Sequence, residues 1–132
     1  MRTRFLKVFL RVMGSMALLA VFAVVMPYAW MNAVHQKLSL GELPAIPIVG
    51  YLARSTSAFY AMLGGLLWFV SFDLPHYRKL LNYLAAAIFF FGVTLWGVDV
   101  VEGMPGFWRN TEGPINMFLG TVIFYCNRST SD

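Results

Sequence analysis

The chain has 132 residues, of which 59% are hydrophobic and 12% charged, with a mean hydropathy of +0.67 and a formal net charge of +4. Soluble domains carry about 25% charged residues and small ones expose much of their surface, so this composition excludes a water-soluble domain. The aromatic content of 17% excludes disorder, and the single cysteine, Cys126, excludes a disulfide scaffold.

An integral membrane protein remains. Spans of about 20 residues allow four crossings, so the expectation is a single all-α domain over 1–132, a transmembrane four-helix bundle. The first apolar run covers 12–31, preceded by Arg2, Arg4, Lys7 and Arg11 with no acid among them. A signal peptide shares that charge pattern, but the run is long and continues through Pro27, Tyr28 and Trp30 without a small-x-small cleavage site, which favours an uncleaved anchor. Pro27 predicts a kink, because its ring crowds the carbonyl of Ala23 and it donates no N–H. Tyr28 and Trp30 suit the far headgroup layer.

Residues 32–43 read as a connection, and Pro47 is placed for the first turn of a helix. The second span covers 48–72. Counting back from Phe72 puts Arg54 at the outer interface, where an arginine avoids most of the cost it meets at the bilayer centre. A polar turn at 73–79 leads to the third span, 80–98. A glycine- and acid-rich stretch, 99–113, precedes the last run, 114–126. At about 1.5 Å per residue that run is shorter than a hydrocarbon core of about 30 Å, which predicts a short fourth helix begun by Pro114 and capped by Glu112.

With four spans, one side holds Arg2, Arg4, Lys7, Arg11, Arg78, Lys79 and Arg128 against Asp73 and Asp132. The other holds Lys37, Arg54 and Arg109 against Glu42, Asp99, Glu102 and Glu112. The positive-inside rule makes the basic side, with both termini, cytoplasmic. The net charge reflects that asymmetry and implies no nucleic-acid partner. Membrane lipids are the expected partners of the basic cluster.

Small residues mark contact faces in membranes. In the second span Ser57, Ala61, Gly64 and Gly65 recur at helical spacing, on a face shared with Arg54, Trp68 and Ser71. The third span offers Asn82, Ala85, Phe89, Gly92, Trp96 and Asp99. If these faces meet, Arg54 and Asp99 reach similar heights and pair, with Glu102 or Glu112 as substitute acceptors. Tyr51, Trp108 and Arg109 complete the expected outer-face cluster, Phe107 and Trp108 also suiting interface anchors. No catalytic residues, metal ligands or cofactor motif stand out: His35 and His76 fall on opposite sides, and no Ser–His–acid set is brought together. Every midplane is free of charge, which argues against transport.

Tyr51-Leu52-Ala53-Arg54-Ser55, Trp68 to Asp73, Gly103-Met104-Pro105 with Trp108, and Glu112-Gly113-Pro114 resemble small four-span bacterial membrane proteins without an assigned activity. The resemblance covers most of the chain after the first span and implies an inner-membrane setting. Two functions stay open: a structural or interaction component packing through its small-residue faces, alone, by self-association or against other membrane proteins; or an outer-leaflet binding protein or enzyme for a lipid or quinone-like amphipathic ligand, using Arg54, Asp99 and Glu112.

Overall fold

The computed structural model describes residues 2–128, all of its regular structure helical; Asp132 lies outside the described residues. The elements are α1 (Arg2–Leu18), α2 (Val21–Val25), α3 (Tyr28–Lys37), α4 (Pro47–Val70), α5 (Arg78–Val101) and α6 (Gly106–Arg128). Among the described residues, two stretches are long and apolar enough to cross a membrane, Arg2–Val25 and Arg78–Val101. Helices α4 and α6 have 24 and 23 residues. Arg54 with its neighbouring serines in α4, and Arg109, Asn110, Glu112 and Asn116 in α6, dilute their apolar content.

The run expected as one kinked helix over 12–31 falls across three helices. A turn tightened to i→i−3 bonds separates α1 from α2, with Ala20 N donating to Ala17 O at 3.1 Å and Ala23 N to Ala20 O at 3.0 Å. The second break is at the proline. Met26 is extended (φ −64°, ψ 134°), as a residue before proline is driven to be. Helix α3 then occupies the first half of the expected connection, and the loop after it is clasped back onto the helix. Leu43 N donates to Asn32 Oδ1 at 2.8 Å, Tyr28 Oη donates to Leu43 O, and His35 Nδ1 lies 2.9 Å from Gly41 O. Ser39 (φ 61°) and Gly41 (φ 83°) turn the chain. As expected, Pro47 opens α4 in its first turn.

The chain divides into two compact units, one of residues 9–71 and one of residues 1–8 with 72–132. In the first, α1 crosses α4 at Gly14 and Gly64. A Cβ on Gly14 would stand 2.8 Å from Gly64 O, and one on Gly64 would stand 2.6 Å from Gly14 O. Near this crossing Trp68 Nε1 donates to Ser15 Oγ at 2.9 Å, Arg11 Nε donates to Ser71 Oγ at 3.1 Å, and the Arg11 guanidinium lies 5.0 Å from the Trp68 ring centroid. The Gly64–Trp68–Ser71 face, which the sequence suggested would meet α5, makes these contacts with α1. Gly65 has nothing within 4 Å of an added Cβ and is not part of the contact; Ser57 and Ala61 are half-buried.

In the second unit α5 and α6 form an antiparallel hairpin closed by a short turn. Glu102 N donates to Val98 O at 2.8 Å and Met104 N to Asp99 O at 2.9 Å, with Gly103 at φ 67°. The helices meet along a glycine seam. A Cβ on Gly92 would stand 2.6 Å from Gly113 O, one on Gly113 would stand 2.6 Å from Trp96 Cβ, and one on Gly120 would stand 2.5 Å from Ala85 O. No real Cβ tolerates such distances, so the close approach requires glycine at all three positions. Ala85 and Gly92, like Gly113 and Gly120, are seven residues apart, the repeat that keeps one seam facing a partner helix. Asn127 fastens the far end, its Nδ2 donating to Arg78 O at 3.0 Å and Asn82 Oδ1 at 2.8 Å.

The last helix is not short. It spans Gly106–Arg128, about 34 Å at 1.5 Å per residue, with Pro114 in its interior rather than at its start. Glu112 accordingly sits within the helix and does not cap it. The turn before Pro114 is held by other bonds: Thr111 Oγ1 donates to Phe107 O at 2.8 Å and Asn116 Nδ2 to Glu112 O at 2.9 Å.

Candidate functional site

Side chains on a helix tilt toward its N-terminus. In an antiparallel pair, a residue near the end of the first helix and one near the start of the second therefore lean toward each other. Asp99, in the last turn of α5, and Glu112, nearly two turns into α6, are placed in this way. Asp99 is 4% exposed, and its Oδ2 is buried without a hydrogen-bond partner. Glu112 is half-buried and accepts a 2.7 Å bond from Trp108 Nε1, one helical turn earlier. Trp108 is thus oriented by Glu112, and of the two residues expected as anchors it is Phe107, 69% exposed, that stands open.

The Glu112 carboxyl, which precedes the apolar run 114–126, is held above the usual carboxylate range. Burial is the main cause; the Trp108 hydrogen bond opposes it and the charge of Asp99 adds to it. An acid raised in the folded state binds its proton more tightly there than in the unfolded chain, so stability falls as pH rises through the folded value. Glu112→Gln keeps an acceptor for Trp108 and stays neutral. Its melting temperature in detergent is expected to exceed wild type at neutral pH, with the difference closing as pH falls toward 4.5, the ordinary value.

Of the expected outer-face residues, Asp99, Trp108 and Glu112 come together at this corner of the hairpin. Glu102 is the exposed C-cap of α5, and Arg109 is half-buried on α6. Tyr51, 66% exposed, and Arg54 belong to the other unit. Arg54 takes main-chain carbonyls as partners. Its Nη1 donates to Val24 O and its Nη2 to Met26 O at 3.0 Å. Both are carbonyls at the end of α2, where the break before Pro27 removes the amides that a continuous helix would supply. The sequence expected an acid, Asp99, as the partner of Arg54; the guanidinium caps a broken helix within its own unit.

Chemically, the corner offers one buried carboxylate oxygen open to a donor and a second carboxyl already raised by its surroundings. That is an acceptor site for a proton donor or a cation. Sequence reasoning missed the Tyr28–Asn32–His35 clasp and the Asn127 bond, whose acceptors are mostly backbone carbonyls and leave no residue-type signature. It also missed Gly14, Gly113 and Gly120 as contacts, though the spacing of the last two was a usable signal. No family model, curated protein or solved structure matches the chain.

Proposed function

We propose that the protein is a multi-pass component of a bacterial inner membrane, with four spans, both termini cytoplasmic, and a structural or interaction role exercised through its helix faces. The observation that carries this reading is the seam at Gly92, Gly113 and Gly120, where backbone meets backbone with no space for a Cβ. Close packing of small residues is how helices associate where lipid removes the gain from hiding apolar surface. The outward faces support the same reading. Phe59, Phe90, Phe118 and Tyr125 are 70%, 66%, 64% and 64% exposed, an apolar surface suited to acyl chains and not to water.

The reading is tested by fractionation with reporter fusions. The chain should resist carbonate extraction, with the loop at 38–46 periplasmic and the turn at 72–77 cytoplasmic; release into the soluble fraction, or the reverse labelling, refutes it. A second reading, an outer-leaflet site for a lipid or quinone-like ligand, draws on the partnerless Asp99 Oδ2 beside Glu112 and Trp108. A small molecule that co-purifies with the wild type and is lost from Asp99→Asn favours it over the structural role.

A further inference from the structure

Asp99 stands in the last turn of α5, a turn without a basic residue and at the negative end of the helix dipole, so its own helix offers its charge no support. Its Oδ2 is buried and takes no hydrogen bond. Across the hairpin Glu112 is held at the same level. Gly113, next to it, meets Trp96, three residues before Asp99: a Cβ on Gly113 would stand 2.6 Å from Trp96 Cβ and 2.9 Å from Trp96 N. That contact fixes the two backbones from which the carboxyls extend. Trp108 Nε1 donates to Glu112 Oε2, which leaves Oε1 for a second partner. The charge of Asp99 opposes ionisation of Glu112. The other ionisable side chains at this end of the hairpin are Glu102, the exposed C-cap of α5, and Arg109, three residues before Glu112 on α6.

A carboxylate oxygen sealed inside a hairpin cannot take a hydrated cation, but it can take a proton donor. The acid opposite can become one. An ionised carboxyl only accepts, whereas a protonated one gains an O–H. We propose that Asp99 and Glu112 form a proton-binding site, in which Glu112 takes one proton from solvent on Oε1 and donates it to Asp99 Oδ2, closing the end of the hairpin. Trp108 orders the pair by holding Oε2. Loss of the proton sets two negative carboxyls against each other across the hairpin and loosens the turn that joins the helices. The stability this bond supplies is present at low pH and lost as pH rises through the folded value. The site uses the oxygen on which the second functional reading draws and gives it a partner from within the chain.

The test titrates the full chain in detergent upward from the ordinary glutamate value, 4.5. Infrared difference spectroscopy of the carboxylic-acid C=O stretch and amide hydrogen exchange are the readouts. Wild type should keep one acid band after its solvent-exposed carboxyls have ionised, and lose it at higher pH. Glu112→Gln should lack that band, its amide N–H donating to Asp99 at every pH. In Asp99→Asn the band should vanish at lower pH than in wild type, because the opposing charge is gone. Glu102→Gln should titrate like wild type. Amides of residues 99–106 should exchange several-fold faster in wild type than in Glu112→Gln above the titration, and equally below it. Persistence of the band in Glu112→Gln, an unchanged midpoint in Asp99→Asn, or equal exchange of wild type and Glu112→Gln at every pH each overturns the proposal. The exchange comparison decides the matter even if Asp99→Asn fails to fold.

Discussion

Gly120→Leu is expected to reduce accumulation of the protein in the membrane several-fold and to lower its unfolding midpoint in detergent. A Cβ at this position would stand 2.5 Å from Ala85 O and 2.7 Å from Phe89 N, so even alanine forces the helix backbones apart. Backbone cannot step aside as the tip of a side chain can. Overpacking a closed interface costs about 1–3 kcal/mol, occasionally more, and a loss of that size changes cellular abundance several-fold. Gly92→Leu should behave alike, because its Cβ would meet Gly113 O at 2.6 Å and Met117 N at 2.7 Å. Gly97→Ala in α5 is the control: nothing lies within 4 Å of its added Cβ, and replacing a helix-interior glycine by alanine gains up to about 1 kcal/mol. Immunoblotting of membrane fractions and thermal unfolding check both arms. Wild-type levels of Gly120→Leu would show that the seam does not hold the hairpin together.

The second large effect is expected at Arg54. Removing its side chain strips donors from Val24 O and Met26 O, and a polar group left unsatisfied away from water costs about 1–3 kcal/mol. Arg54→Ala should therefore lower the midpoint by the equivalent of about 2–6 kcal/mol, with reduced accumulation. Arg54→Lys should recover only part of the loss, because an ammonium on a flexible stem cannot present the two parallel N–H groups of a guanidinium. Restoring continuous helix by Pro27→Ala in the Arg54→Ala background should rescue accumulation, since a regular backbone brings the amides of Tyr28 and Trp30 to those carbonyls. Additive losses instead of rescue would mean that Arg54 acts through something other than the helix break.

Much of the packing was legible in the sequence, and the reason is periodicity. Small residues at helical spacing picked out the Gly64 face of α4 and the Ala85–Gly92 face of α5, and both faces do make close contacts. Which helix covers each face was not legible, because a stripe of small residues looks the same whatever lies against it. Adjacency in sequence suggested that α4 and α5 face each other; the contacts made by Gly64 and Gly92 are instead with Gly14 and Gly113. The start of α6 was misplaced for a different reason. Proline is common in a helix's first turn, so Pro114 read as a beginning, while the side-chain bonds of Thr111 and Asn116 on either side of it have no distinctive sequence pattern. Arg54 was read as a cation at the outer interface in need of partners. Those partners are main-chain oxygens created by a break, and sequence shows carboxylates far more readily than it shows vacated carbonyls.

The glycine seam has a further consequence, for how this protein changes over generations. Its fit depends on backbone approaching backbone, so the shapes of side chains on the outer helix faces carry little of the holding force. Those positions can drift among apolar residues while three or four glycines stay fixed. The trait to follow in any descendant is then the seven-residue spacing of small residues at Ala85 and Gly92 and at Gly113 and Gly120.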